Sequence, residues 1–284
     1  MSPKNIAISV RQKLLNIANQ QGKDFQLILI RYALERLLYR LSMSEHKNRF
    51  VLKGAMLFVI WNQTTDRPTR DIDFLGKGDN SLEGLKKAFV DICHINIPED
   101  GIVFLVDSIK AERINEAKEY EGTRILLKAE LASAIIPIQI DIGFGDVITP
   151  GPKEVAFPTI LDSKAPIIQT YTVETVIAEK FHAIVHLGMA NSRIKDYFDL
   201  WVLLNEYPYD QNVLKESIQN TFEQRKTKLP TSVPIALTSE FTEDKHKKAQ
   251  WKSYVAKNKL LENEDITLDI VSETIALNLM PLLK

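Results

Sequence analysis

The chain has 284 residues, is 45% hydrophobic and carries a formal net charge of −1. That length supports a full core in one large or two modest domains, and the charge balance excludes a globally basic nucleic-acid binder but not a local basic patch. A single cysteine, Cys93, excludes an intrachain disulfide and fits a reducing compartment. The opening MSPKNIAISVRQKLL lacks a signal-peptide core, and no stretch approaches the ~18 apolar residues of a membrane span. A cytoplasmic protein with no membrane partner is expected.

In chain order, IAISVRQKLLNIANQQ and FQLILIRYALERLLYRLSM carry apolar residues at helical spacing, separated by the turn-like QGKD. Asp24 is placed to cap the second helix. RFVLKG reads as a short strand ending at Gly54, followed by the apolar helix AMLFVIWNQ. TRDIDFLG is the next strand, and SLEGLKKAFVDICHI an amphipathic helix with Ser81 at its start. IVFLVDSI, TRILLKAEL and IPIQIDIGF then follow as strands, the last two alternating. Prolines at 150, 152 and 158 break the pattern, and from Val173 onward five segments read as helices. The order predicts an α+β fold: a mixed sheet with flanking helices over 1–165, then a helical part over 166–284.

The chemistry starts in TRDIDFLG. Side chains alternate along a strand, so Asp71 and Asp73 share one face while Ile72 and Phe74 take the other. Two carboxylates that close do not both stay ionised cheaply unless a cation sits between them. Magnesium suits such hard oxygen ligands and typically adds the phosphates of a substrate. Asp141, on a later strand, shares a face with Gln139 and Gly143 and supplies a third carboxylate, as a ligand or as the base for an attacking hydroxyl. Upstream, Lys53-Gly54-Ala55 precedes a helix whose first N–H groups suit an anion.

These residues carry a resemblance. Lys53-Gly54-Ala55 followed by Arg70-Asp71-Ile72-Asp73 resembles the core motif of polymerase-beta-like nucleotidyltransferases. VLKGAMLF, RPTRDIDFLG, IAEKFHAIV and SRIKDYFDL are together similar to the ordered motifs of the AbiEii/AbiGii toxin family, from about Arg31 to Leu204. The resemblance implies NMP transfer from an NTP with Mg2+, onto an RNA acceptor such as a tRNA 3′ end. It also implies a toxin–antitoxin or phage-defence role with a cognate antitoxin encoded nearby. Asp71, Asp73 and Asp141 become metal and catalytic residues, and Lys53, Gly54, Ala55 and Lys180 become nucleotide-binding residues. Lys180 also enters the catalytic set, together with Asp196, which either orients that lysine or acts as a base. Ala55 departs from the Ser or Gly often found there and removes one hydroxyl from the phosphate grip. Two rival functions stay open: a nucleotide-binding regulator without transfer, and transfer to a small molecule or protein.

Plainer accounts compete at several positions. Lys180 reads by itself as an exposed helix lysine, and Arg193, Asp196 and Asp199 as a surface ion-pair stripe. Thr69 shares the face of Asp71 and reads either as an ordinary strand threonine or as a neighbour of the ligand where modification would block the site, and Arg67 and Arg70 flank the aspartates without a fixed role. His182 and His186 lack the partners of a zinc signature and read as packing or nucleotide-adjacent residues. Cys93 reads as buried filler. Lys245–Lys259 mixes lysines with Trp251 and Tyr254, either as an RNA-binding stripe or as a solvated helix with Trp251 in the core.

Overall fold

The computed structural model describes residues 3–61, 69–116, 120–258 and 266–283. They divide between two compact units. The first runs through Gly145 and adds Lys153–Thr170; the second holds Asp146–Pro152 and everything from Tyr171 onward. The units therefore part at Thr170 rather than at 165/166, because the strand at 167–170 joins the sheet of the first unit. Arg67 and Lys259 lie outside the described residues.

In the first unit, helices α1 (Pro3–Gln21) and α2 (Phe25–Met43) lead into β1 (Phe50–Lys53). Asp24 caps α2 by accepting from the Leu27 N–H at 3.1 Å. A 3-10 turn at Gly54–Met56 opens into the short helix α3 (Leu57–Trp61). Then come β2 (Asp71–Gly76), α4 (Leu82–Cys93), β3 (Ile102–Glu116), β4 (Tyr120–Leu131), β5 (Ala134–Phe144), β6 (Lys153–Ala156) and β7 (Ile167–Thr170). Ser81 caps α4 through the Gly84 N–H at 3.1 Å.

The described strands form one seven-stranded mixed sheet, ordered β3-β4-β5-β2-β1-β7-β6. β2 runs antiparallel to β1 and parallel to β5, while β7 runs parallel to β1. Sheet alternation sorts the residues as the sequence predicts. Ile72, Phe74, Ile138, Ile140 and Ile142 are buried, while Asp71, Asp73 and Gln139 remain half-exposed on the other face. Phe50 packs on Phe74 and Phe89 with ring centroids 5.6 and 5.3 Å apart, seating α4 on the apolar face. Burying such aromatic rings supplies a large part of a core's stabilisation.

Helix α2 buries charge as well as apolar surface. Arg40 makes two hydrogen bonds to Asp100, at 2.6 and 3.2 Å, and both residues are buried. Glu35 accepts from the Ile160 N–H at 2.7 Å and pairs with Arg36 at 2.9 Å. Burial pushes the Glu35 carboxyl up, against the opposing pull of the Arg36 guanidinium. These pairs tie α2 to the loops around it, a use of charge that helical periodicity does not reveal.

The second unit is helical: α5 (Val173–Leu187), α6 (Ile194–Glu206), α7 (Gln211–Gln224), the short α8 (Ser239–Thr242), α9 (Lys245–Asn258) and α10 (Leu268–Leu279). Thr172, Asp210 and Thr267 cap α5, α7 and α10 with their side-chain oxygens. The core gathers Phe181, Phe222, Tyr197, Phe241 and Ile275, all almost fully buried. Among the described residues no helix is long and apolar enough to cross a membrane.

Candidate active site

Strand register assembles the polar face of the first unit. Lys53 stands opposite Asp73, Asp73 opposite Asp141, and Asp141 opposite Arg124. Residues directly opposite one another share a sheet face, so these charges form one row across β1, β2, β5 and β4. The order is plus, minus, minus, plus. Asp71 stands opposite Gln139, one pleat along the same face. The carboxylates that alternation places on one side of two strands are thus immediate neighbours across a parallel pair.

Each carboxylate is oriented by its surroundings. Thr69, which precedes β2 rather than lying in it, donates from Oγ1 to Asp71 Oδ1 at 3.0 Å. Asp73 lies against Gly54: a Cβ on that glycine would fall 1.9 Å from Asp73 Oδ2. Gly54 also has φ +72°, where an L side chain is strained. The glycine therefore makes room for Asp73 itself, a closer constraint than the phosphate approach expected from sequence. The chain after it turns as a 3-10 helix and becomes α-helical only at Leu57. Lys53 reaches across the face, its Nζ 3.3 Å from where a Gly143 Cβ would be.

Asp141 is buried and clasped by Arg124, with Nε to Oδ1 at 2.8 Å and Nη2 to Oδ2 at 2.7 Å. Gln139 Nε2 adds a contact to Oδ2 at 3.2 Å. The hydrogen bond to Asp141, with the negative charges of Asp141, Glu112 and Asp71, raises the Arg124 pKa and keeps the guanidinium charged. Sequence reasoning missed Arg124. Its only signal was a charged residue within an apolar alternating strand; its partner depends on register.

Lys180 lies in the second unit, where Nζ sits 2.7 Å from Asp196 Oδ1 and 2.7 Å from Asp199 Oδ2. Arg193 Nε meets Asp196 Oδ2 at 2.6 Å. Both aspartates are 0% exposed, which corrects the surface-stripe account and the picture of Lys180 as a free surface lysine. Burial pushes the Asp196 carboxyl up, but the Lys180 and Arg193 charges outweigh it and hold the pKa below the ordinary value. Asp196 and Asp199 thus share the Lys180 ammonium in this unit.

His182 is buried, with Nε2 2.9 Å from Thr227 Oγ1 and Nδ1 3.3 Å from Arg225 Nη1. A guanidinium only donates, so Nδ1 accepts and Nε2 carries the proton. His182 stacks on His186 at 5.6 Å and meets Phe222 edge-on at 5.0 Å, a packing role. Burial first, then the Arg225 and His186 charges, push its pKa down to about 4. The unfolded chain then takes up a proton near its ordinary value that the folded chain refuses, so stability falls as pH drops from about 6.5 toward 4. Urea unfolding at pH 7 and pH 4.5 is expected to show a loss in wild type that exceeds the loss in His182→Gln by about 2 kcal/mol. Equal losses would contradict the shift.

The lysine-rich helix α9 docks through Lys247 and Trp251, while Lys245, Lys248, Lys252 and Lys257 stay exposed. Lys247 is buried, donates to the Asn191 carbonyl at 2.5 Å and lies 4.9 Å from the Phe241 ring centre. Trp251 is buried with Nε1 donating to the Ile266 carbonyl at 3.0 Å. The core-docked account of Trp251 holds, and Lys247 does not belong to an RNA-facing stripe. Cys93 is buried, and its thiol is pushed up to about 12 by burial, as expected of filler. Among the described residues, one trio of metal-ligating types has its ligand atoms within 4.8 Å of one another: Glu45, His46 and Asp91. His46 Nε2 lies 3.2 Å from Asp91 Oδ2 while the Glu45 side chain is 82% exposed, so an ordinary surface hydrogen bond accounts for the group.

Comparison with known proteins follows the same lines. The family model described as "Nucleotidyl transferase AbiEii toxin, Type IV TA system" matches residues 36–271. Among solved structures, a candidate nucleotidyltransferase from H. pylori aligns at 14% identity and TM-score 0.50, covering 92% of this chain and 96% of that one. JHP933 from Helicobacter pylori aligns at 14% identity and TM-score 0.49, covering 92% and 93%. Among curated proteins, none matches. The first structural likeness supports the fold alone; the family match spans both units.

Proposed function

Since this chain belongs to the AbiEii family of nucleotidyltransferase toxins of type IV toxin–antitoxin systems, we propose that it moves an NMP from an NTP onto RNA, with a tRNA 3′ end as acceptor. The observation that carries this reading is the row Lys53–Asp73–Asp141–Arg124, with Asp71 one pleat away on the same face. The donor set fits a hard divalent cation: Asp71 and Asp73 are half-exposed carboxylates on one face, able to accept Mg2+ together with substrate phosphates. Bound there, Mg2+ would neutralise charge on the triphosphate. Lys53 adds a fixed positive charge beside them. The turn at Gly54 and Ala55 offers backbone N–H donors without a side-chain hydroxyl. Asp141 is the third carboxylate, as a ligand or as the group that takes the acceptor hydroxyl's proton. The family also implies a cognate antitoxin as partner.

Lys180 is the nucleotide-binding lysine of the family pattern, with Asp196 as its partner. Incubation with each α-labelled NTP, Mg2+ and either total RNA or total protein tests the acceptor class. Label in the RNA fraction, concentrated in tRNA, is expected. Label in protein or a small molecule, or tight nucleotide binding without pyrophosphate release, would replace this reading with one of its rivals.

A further inference from the structure

Three carboxylates on one face suggest a site ready for two cations. The hydrogen bonds around Asp141 point elsewhere. A carboxylate offers about four lone-pair sites, and Asp141 gives one on Oδ1 to Arg124 and two on Oδ2 to Arg124 and Gln139. A cation seated between Asp71 and Asp73 would therefore find Asp141 turned toward β4.

The pair is also asymmetric. The Asp141 side chain is 9% exposed and that of Arg124 is 32% exposed, so the carboxylate is the enclosed partner and the guanidinium the reachable one. A bidentate arginine–carboxylate pair is among the stronger and more directional of charged contacts. An incoming cation must displace part of it before it gains the third oxygen.

We propose that Arg124 is a positioning residue that keeps Asp141 out of the coordination sphere of the nucleotide-free chain, leaving Asp71 and Asp73 a one-cation site. This rests on the reading of Asp71 and Asp73 as the metal site. Its consequence is weak loading by free metal: two carboxylates hold a divalent cation firmly only when substrate phosphates complete the shell. Cation and nucleotide then arrive together. Gln139 Nε2, 3.2 Å from Asp141 Oδ2, is a second hold on the same carboxylate.

Mn2+, counted by the loss of its free electron-spin-resonance signal on titration into the nucleotide-free full chain, tests this directly. Wild type is expected to take up one Mn2+ weakly. Arg124→Met is expected to bind Mn2+ about tenfold more tightly or to take up a second ion, and Asp141→Asn in the Arg124→Met background to cancel that gain. Arg124→Lys keeps the positive charge but cannot hold both oxygens, so it should fall between the two and serves if Arg124→Met unfolds. One equally weak Mn2+ in wild type, Arg124→Met and Arg124→Lys would overturn the inference alone. No Mn2+ uptake by any of these proteins would overturn the metal reading beneath it as well.

Discussion

Lys180→Ala is expected to destabilise the second unit by about 3–5 kcal/mol, the range for removing one partner of a buried charge pair. Asp196 and Asp199 are both 0% exposed, and each has an oxygen 2.7 Å from the same ammonium. Losing that ammonium leaves two carboxylates in a low-dielectric interior without the charge they share. An exposed helix lysine would instead change stability by no more than about 0.5 kcal/mol. Chemical denaturation of wild type and Lys180→Ala separates the two outcomes. The stability loss also complicates the catalytic test, since a partly unfolded enzyme is inactive for a trivial reason. The triple variant Lys180→Met, Asp196→Asn, Asp199→Asn removes all three charges together and should regain much of the stability. If Lys180 faces the phosphates, that variant folds and still fails to transfer. Restored transfer would confine Lys180 to scaffolding.

Asp73→Ala is expected to remove transfer while leaving the fold intact. Asp73 is half-exposed and stands between Asp141 on one neighbouring strand and Lys53 on the other. Removing Asp73 relieves its repulsion with the neighbouring carboxylates but also takes a negative charge from beside Lys53, so the metal-free protein should melt close to the wild-type temperature. The metal-binding face, however, loses a ligand, and the rate should drop by about a hundredfold or more. Magnesium plus NTP should raise the wild-type melting temperature by mass action and leave that of Asp73→Ala unchanged. A wild-type melting temperature indifferent to both ligands would count heavily against the site.

The alternation in TRDIDFLG and IPIQIDIGF is enough to put Asp71, Asp73 and Asp141 on polar faces, because a period of two leaves little choice once Ile and Phe seek the core. What alternation cannot supply is register across strands distant in sequence. The parallel pairing of β2 with β5 places Asp73 beside Asp141, and β4 then delivers Arg124 to the same carboxylate. β6 and β7 escaped notice because they are short and follow or flank a proline-rich stretch. The helical half was legible as helices, but the fate of its charges was not. Lys180, Asp196 and Lys247 look like solvated positions by composition, yet tertiary packing encloses the two residues Asp196 and Lys247 and clasps Lys180 in a buried carboxylate pair. In α2, Arg40 and Glu35 likewise hide inside an apolar periodicity that predicts the helix but not its buried ion pairs.

The most direct test of the central claim is single-turnover transfer from an α-labelled NTP to purified tRNA, run on wild type and Asp71→Asn with Mg2+. Asp71 sits on the same face as Asp73 and is oriented by Thr69, so replacing one carboxylate oxygen by an amide removes charge with little change of shape. Wild type is expected to label the tRNA 3′ end, and Asp71→Asn to leave it unlabelled while retaining the wild-type melting curve. Equal labelling by the two proteins would contradict the assignment of this face as the metal-dependent transfer site.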